Sequence, residues 1–168
     1  MYRGICTGFR DDGSATFANE KRLDTNRAPA ALAMAVTESS LYAGALRRSQ
    51  GQLNSVLLER LAHLARQMEA RGGALVLLLP PLLPGVEEAL TKTPHSGAWL
   101  RATKDALESW SARENIALLD AGRSERYRCV AAEFIDAHHA MPECYRKAVT
   151  RFFLDHPRIL AAVTARSR

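Results

Sequence analysis

From Gln52 to Arg71, the apolar residues Leu53, Leu57, Leu61, Leu64 and Met68 recur every three or four positions. This is the stripe of an amphipathic helix that turns one face to a core, and Gly72-Gly73 stops it. The run Ala74-Leu75-Val76-Leu77-Leu78-Leu79 follows, bounded by glycine and proline, which predicts a strand buried on both faces of a parallel sheet. Pro80-Pro81 ends it, and a loop or short helix continues to Leu90. From Trp99 to Glu114, Leu100, Thr103, Leu107 and Trp110 share one helical face, and Ile116 to Asp120 reads as a second buried strand ending in a carboxylate. Helix, strand, helix, strand predicts parallel pairing through right-handed crossovers.

The flanks are less regular. Phe9 to Glu20 places Asp11-Asp12-Gly13-Ser14 between short β-prone segments and predicts a turn or hairpin, Asp-Gly being a strong turn dipeptide. Asn26 to Arg48, rich in Ala and Leu, predicts one or two helices. Gly122 to Cys129 is a polar, Arg-rich loop. Beyond a loop at Asp136 to His139, Pro142 opens a helix that carries Tyr145, Val149, Phe152 and Phe153 inward, since proline suits the first helical position. Asp155 to Ser167 predicts a short final helix. Two core strands leave a sheet with an exposed edge unless the N-terminal segment or another chain covers it.

At 168 residues and 47% hydrophobic, the chain suffices for one ordinary core, so one α/β domain over 1–168 is expected. The longest apolar run, Ala74 to Leu83, is interrupted by Pro80 and Pro81 and falls short of a membrane helix. Met1 to Gly8 contains no signal-like apolar stretch, so the expected location of the chain as written is cytoplasmic, unless an upstream segment is missing. Three cysteines, Cys6, Cys129 and Cys144, with no Cys-x-x-Cys pair, predict reduced thiols rather than a disulfide framework or zinc knuckle. The net charge of +5 is scattered without a basic stripe, so no nucleic-acid partner is expected.

Chemistry concentrates in Glu133-Phe134-Ile135-Asp136-Ala137-His138-His139. A carboxylate that holds one imidazole nitrogen fixes the tautomer, leaving the other nitrogen to take a proton from a hydroxyl nucleophile. Asp136 and His139 are the candidate orienter and general base; the alternative is a loop-capping Asp beside a surface His. His138 is placed outside the site, although spacing alone does not separate it from His139. A metal reading would recruit Asp136, His138, His139 and Glu143, but adjacent histidines rarely point the same way, and no metal or cofactor is expected. Ser14 is a tempting nucleophile, yet a serine after Asp-Gly is more often a turn residue, and the chain has neither Gly-x-Ser-x-Gly nor Gly-Asp-Ser. Cys129 and Cys144 are further nucleophile candidates beside His139, with Cys144 near a helix start where a thiol pKa falls; core packing is the competing reading. His63 and His95 are assigned no role.

With these residues in view, the chain resembles the C-terminal part of SGNH/GDSL-type hydrolases, in particular bacterial SGNH-like proteins linked to cell-envelope polysaccharides. The likeness rests on Gly8 to Ser14, on Leu53-Asn54 through Gly72 followed by Ala74 to Pro81, and above all on Glu133 to His139 with the helix from Pro142. It implies a three-layer, flavodoxin-like α/β/α sandwich, incomplete here, with a short parallel sheet flanked by helices. It also implies Asp136 and His139 as two members of a Ser-His-Asp triad. The family's Gly-Asp-Ser block is not in the chain and would lie upstream of Met1. Its oxyanion-hole Gly and Asn blocks are not identifiable, and Asn54 does not stand in a context that transfers that role. The resemblance thus implies a truncated hydrolase, related to esterases or acyltransferases acting on O-acetyl groups of carbohydrates. An acylated saccharide is the implied ligand. The alternatives are a catalytically inactive binding module and a structural protein that forms a homo-oligomer through its open sheet edge.

Overall fold

The computed structural model describes residues 6–9, 15–17, 22–37 and 41–164. In chain order these form β1 (Cys6–Phe9), β2 (Ala15–Phe17), α1 (Ala28–Ala35), α2 (Leu41–Ser49), α3 (Ser55–Ala70), β3 (Val76–Leu79), α4 (Val86–Thr91), α5 (Pro94–Arg113), β4 (Ala117–Asp120), α6 (Pro142–Asp155) and α7 (Pro157–Thr164). Short 3-10 turns occupy Ser124–Tyr127 and Ala131–Glu133. The fold is mixed α/β and mostly helical, and no helix among the described residues is long and apolar enough to cross a membrane.

Local chemistry sets the element ends. Asn54 caps α3 by accepting a hydrogen bond from the Leu57 amide at 3.0 Å, and Gly72, at φ 72°, supplies the left-handed residue that follows it. Proline begins α5 at Pro94, five residues ahead of the expected Trp99, because Thr93-Pro94 is itself a helix-start signal. Pro142 begins α6 in the same way. The expected hairpin is present as the antiparallel pair β1–β2, while its turn, with Ser14, lies outside the described residues.

β3 and β4 pair in parallel, from Val76 opposite Ala117 to Leu79 opposite Asp120. Side-chain alternation divides what covers them. Val76, Ala117 and Leu119 pack with Ala148, Val149, Phe152 and Phe153 of α6 and Ile159 of α7. Leu75, Leu77 and Ile116 pack with Leu58, Leu61, Ala62 and Ala65 of α3 and Leu107 and Trp110 of α5. The result is a short two-stranded parallel sheet flanked by helices. Among the described residues β1 and β2 form a separate sheet, so the fuller strand order of a flavodoxin-like sandwich does not appear.

Three expectations need correction. Leu57 and Leu64 of the α3 stripe face outward, 56% and 42% exposed, because the helix is turned so that Ala62 and Ala65, with Leu58 and Leu61, accommodate the bulky Trp110. β3 is not buried on both faces: Leu78 is 43% exposed, on a strand whose one described partner is β4. Cys129 and Cys144 are not reduced thiols but a disulfide, one that the odd cysteine count concealed.

Past the carboxyl ends of the strands, charge replaces apolar packing. Glu87, almost fully buried on α4, pairs with Lys104 of α5 and accepts from Arg123 Nε at 3.1 Å; Lys104 Nζ also donates to Asp120 Oδ2 at 2.6 Å. Gly122 gives this cluster its room, since a Cβ there would lie 2.2 Å from Glu87 Oε2.

Removing one member of a buried ion network strands its partners in low dielectric. Lys104→Met leaves the buried Glu87 carboxylate with Arg123 alone and should therefore lower the free energy of urea unfolding by about 3 kcal/mol, more than removal of the exposed Lys92–Glu88 pair. Cys129 and Cys144 are 15 residues apart, a spacing at which closing the loop restricts the unfolded chain, so reduction should lower stability by about 3 kcal/mol in the same measurement.

Candidate functional site

The segment between the two cysteines is shaped by what it buries. Phe134 is fully buried and Ala137 nearly so, within the cluster that includes Leu23, Leu82, Leu83, Cys129 and Cys144. Their carbonyls are held as well: Leu23 N donates to Phe134 O at 2.7 Å, and Leu83 N donates to Ala137 O at 3.0 Å. A bridge between Phe134 and Ala140 and a 2.9 Å bond from Ile135 N to His139 O close the loop on itself. With 134 and 137 directed inward, Asp136 and His139 emerge together.

Asp136 organises the turn between them. Its Oδ1 accepts from the backbone amides of His138 at 2.8 Å and His139 at 3.0 Å, the Asx-turn pattern. His139 Nδ1 lies 2.9 Å from Oδ1 and 2.8 Å from Oδ2. The sequence-predicted pair is thus in hydrogen-bonding contact, and the same carboxylate also performs the capping role of the competing reading.

The loop lies beyond the carboxyl end of the sheet. Leu82, three residues past β3, forms a parallel bridge with Arg123, three residues past β4, and the buried Ser124 hydroxyl donates to Leu82 O. Leu83 then holds Ala137. In open parallel sheets this is the end at which ligands bind.

Electrostatics follow the geometry. Burial opposes charge on Asp136, but the His139 ring and the His138 and His139 amides outweigh it and hold the carboxyl down at about 2. His139 is raised above 6.5 by its hydrogen bond to Asp136, against the opposing effect of partial burial. His138 is lowered, mainly by burial, with Asp136 pulling the other way. With Nδ1 engaged by the carboxylate, the neutral His139 ring carries its proton there, and proton exchange falls to Nε2. The arrangement can orient an imidazole and stabilise its charged form.

Other candidates separate from this pair. Cys129 and Cys144 cannot serve as thiolate nucleophiles while bonded to each other. Glu143, considered as a metal ligand, instead pairs with Arg22 at 2.6 Å. Among the described residues, the ligand-type atoms that converge within 4.8 Å belong to Cys129, Glu133 and Cys144, but both sulfurs are in the disulfide and Glu133 pairs with Lys147 at 2.6 Å. His63 bonds Gln67 at 2.9 Å, and His95 stacks on Trp99. Asn54 caps a helix. A cavity of about 610 Å³ lies at the opposite, amino end of the strands, lined in part by Ala74, Leu75, Asn115 and Ile116, and includes neither Asp136 nor His139.

Sequence reading missed two features beside the site. The Glu87–Lys104–Asp120–Arg123 cluster had one visible sign, a carboxylate closing an apolar strand at Asp120. The disulfide had none, since a separation of 15 residues does not by itself indicate pairing.

Asp136→Asn keeps an oxygen for the two backbone amides and removes the charge. The His139 titration, followed by NMR, should return toward 6.5 in this variant. His139 contributes stability that is full below pH 6.5 and lost as pH rises through its raised folded value. Asp136 contributes stability present above pH 3.8 and lost as pH falls toward about 2. The variant should therefore lose stability chiefly between about pH 4 and 6.5, by less than about 1 kcal/mol for so exposed a pair. Comparison with known proteins returns no matching family model, no matching curated protein and no matching solved structure.

Proposed function

We propose that this chain carries the base-and-orienter half of an SGNH-type hydrolase site and acts on ester groups, with O-acetylated saccharides as the substrate class. The observation that carries the reading is the contact of His139 Nδ1 with both oxygens of Asp136 on an exposed loop beyond the carboxyl ends of parallel strands. The substrate class rests on the resemblance of Glu133 to His139 and the Pro142 helix to the last block of that family. In this reading His139 Nε2 takes the proton of a hydroxyl as its oxygen attacks the acetyl carbonyl carbon. The same proton then passes to the departing sugar oxygen, and Asp136 stabilises the imidazolium in between. The serine would come from another segment or chain. Without it and without oxyanion donors, the dyad acts on water alone and retains only a small part of a full triad's rate.

A second reading is favoured by one observation. Leu78 is exposed on β3, whose described pairing is with β4 alone, and such an edge suits an inactive module that binds a partner or another copy of itself.

Acetate release from a per-O-acetylated monosaccharide separates the two, because its poor leaving groups resist simple attack by exposed imidazole. His139→Ala should reduce the rate above background about 100-fold. The wild-type rate should fall as pH drops through the raised His139 pKa, where the base becomes protonated. Equal rates in wild type and variant would remove the hydrolase reading and leave the binding one.

A further inference from the structure

The two half-cystines stand at the ends of the loop that holds the dyad. Cys129 precedes the 3-10 turn at Ala131–Glu133, and Cys144 lies in the first turn of α6, so residues 130–143 form the enclosed segment. Both are buried, Cys144 completely, and they pack in one cluster with Phe134 and Ala137. The two side chains that fix the position of Asp136 thus share their packing with the cross-link.

We propose that the Cys129–Cys144 disulfide is a redox lock on the Asp136–His139 loop: the dyad is assembled when the two sulfurs are bonded and loosens when they are reduced. The inference rests on the functional reading above only for its consequence in catalysis; the conformational claim stands on the packing. Reduction by a dithiol transfers two electrons and two protons. A reductant thiolate attacks one sulfur and forms a mixed disulfide. Its second thiol then displaces the cysteine, leaving two protein thiols and an oxidised reductant. Cys129, at 5% exposure, is the less buried of the two residues. Once the bond is broken, nothing covalent fixes the two ends of 130–143 to each other, and two separate buried thiols must find room in the close-packed layer under Phe134 and Ala137, which loosens.

The rest of the attachment survives. Lys147 of α6 still holds Glu133 at 2.6 Å and Arg128 O at 2.8 Å, which keeps the helix on the loop while its packing shifts. The effect of reduction is therefore local, on the turn rather than on α6.

The test is NMR titration of the histidines in the full chain, oxidised and then reduced with dithiothreitol under native conditions, with the thiols counted by mass. His156, whose ring lies 4.3 Å from that of Phe152, reports whether α6 remains folded. The expected result is that the raised His139 titration returns toward 6.5 on reduction while the ring-current shift of His156 persists, and Cys129→Ser with Cys144→Ser reproduces it. An unchanged His139 curve in the reduced, folded chain would overturn the proposal. So would loss of the His156 shift together with that of His139, which would make the disulfide a staple of the whole fold. Failure of the oxidised chain to release acetate, with the titration response intact, would overturn the hydrolase reading alone.

Discussion

The geometry of the Asp136–His139 loop depends on one carboxylate with two tasks. Asp136 builds the turn by accepting the backbone amides of His138 and His139, and it orients the His139 ring that the turn delivers. The hydrogen bonds that lower its pKa are thus the same ones that set the geometry. The pair is local in sequence, so its formation asks little of the fold beyond placing Phe134 and Ala137 inward. The sheet contributes position: the hydrogen bond from Leu83 N to Ala137 O sets this turn beyond the carboxyl ends of β3 and β4.

Around the turn, three kinds of attachment act at different ranges. Apolar burial holds the loop to the core, the disulfide ties its ends, and the Glu133–Lys147 pair joins it to α6. The charged cluster at Glu87 works one step farther away, through Arg123, which pairs with Glu87 by its side chain and bridges Leu82 by its backbone. Most of these contacts join residues far apart in the chain.

That difference in range explains what could be read from the sequence. The Val76–Leu79 and Ala117–Asp120 strands and the helix from Pro142 announce themselves by apolar runs and proline placement, which are local signals. Asp136 and His139 were legible for the same reason, being three residues apart on one turn. The facing of α3 was not, because Leu57 and Leu64 fit a helical stripe as well as Leu58 and Leu61 do, and the choice depends on the shape of Trp110 opposite. Pairing of Cys129 with Cys144 and of Glu87 with Lys104 is set by tertiary proximity, about which spacing is silent.

Gly122 draws these threads together in an unexpected place. It has no functional group, yet its missing methyl leaves the space in which the Glu87 carboxylate rests, and its neighbour Arg123 is the residue that registers Leu82. Any larger side chain would have to displace that charge, next to the residue whose backbone bridges Leu82, the neighbour of the Leu83 that holds the carbonyl of Ala137. A hydrogen atom at this position thereby keeps a buried carboxylate seated beside the strand end that anchors the histidine-bearing turn.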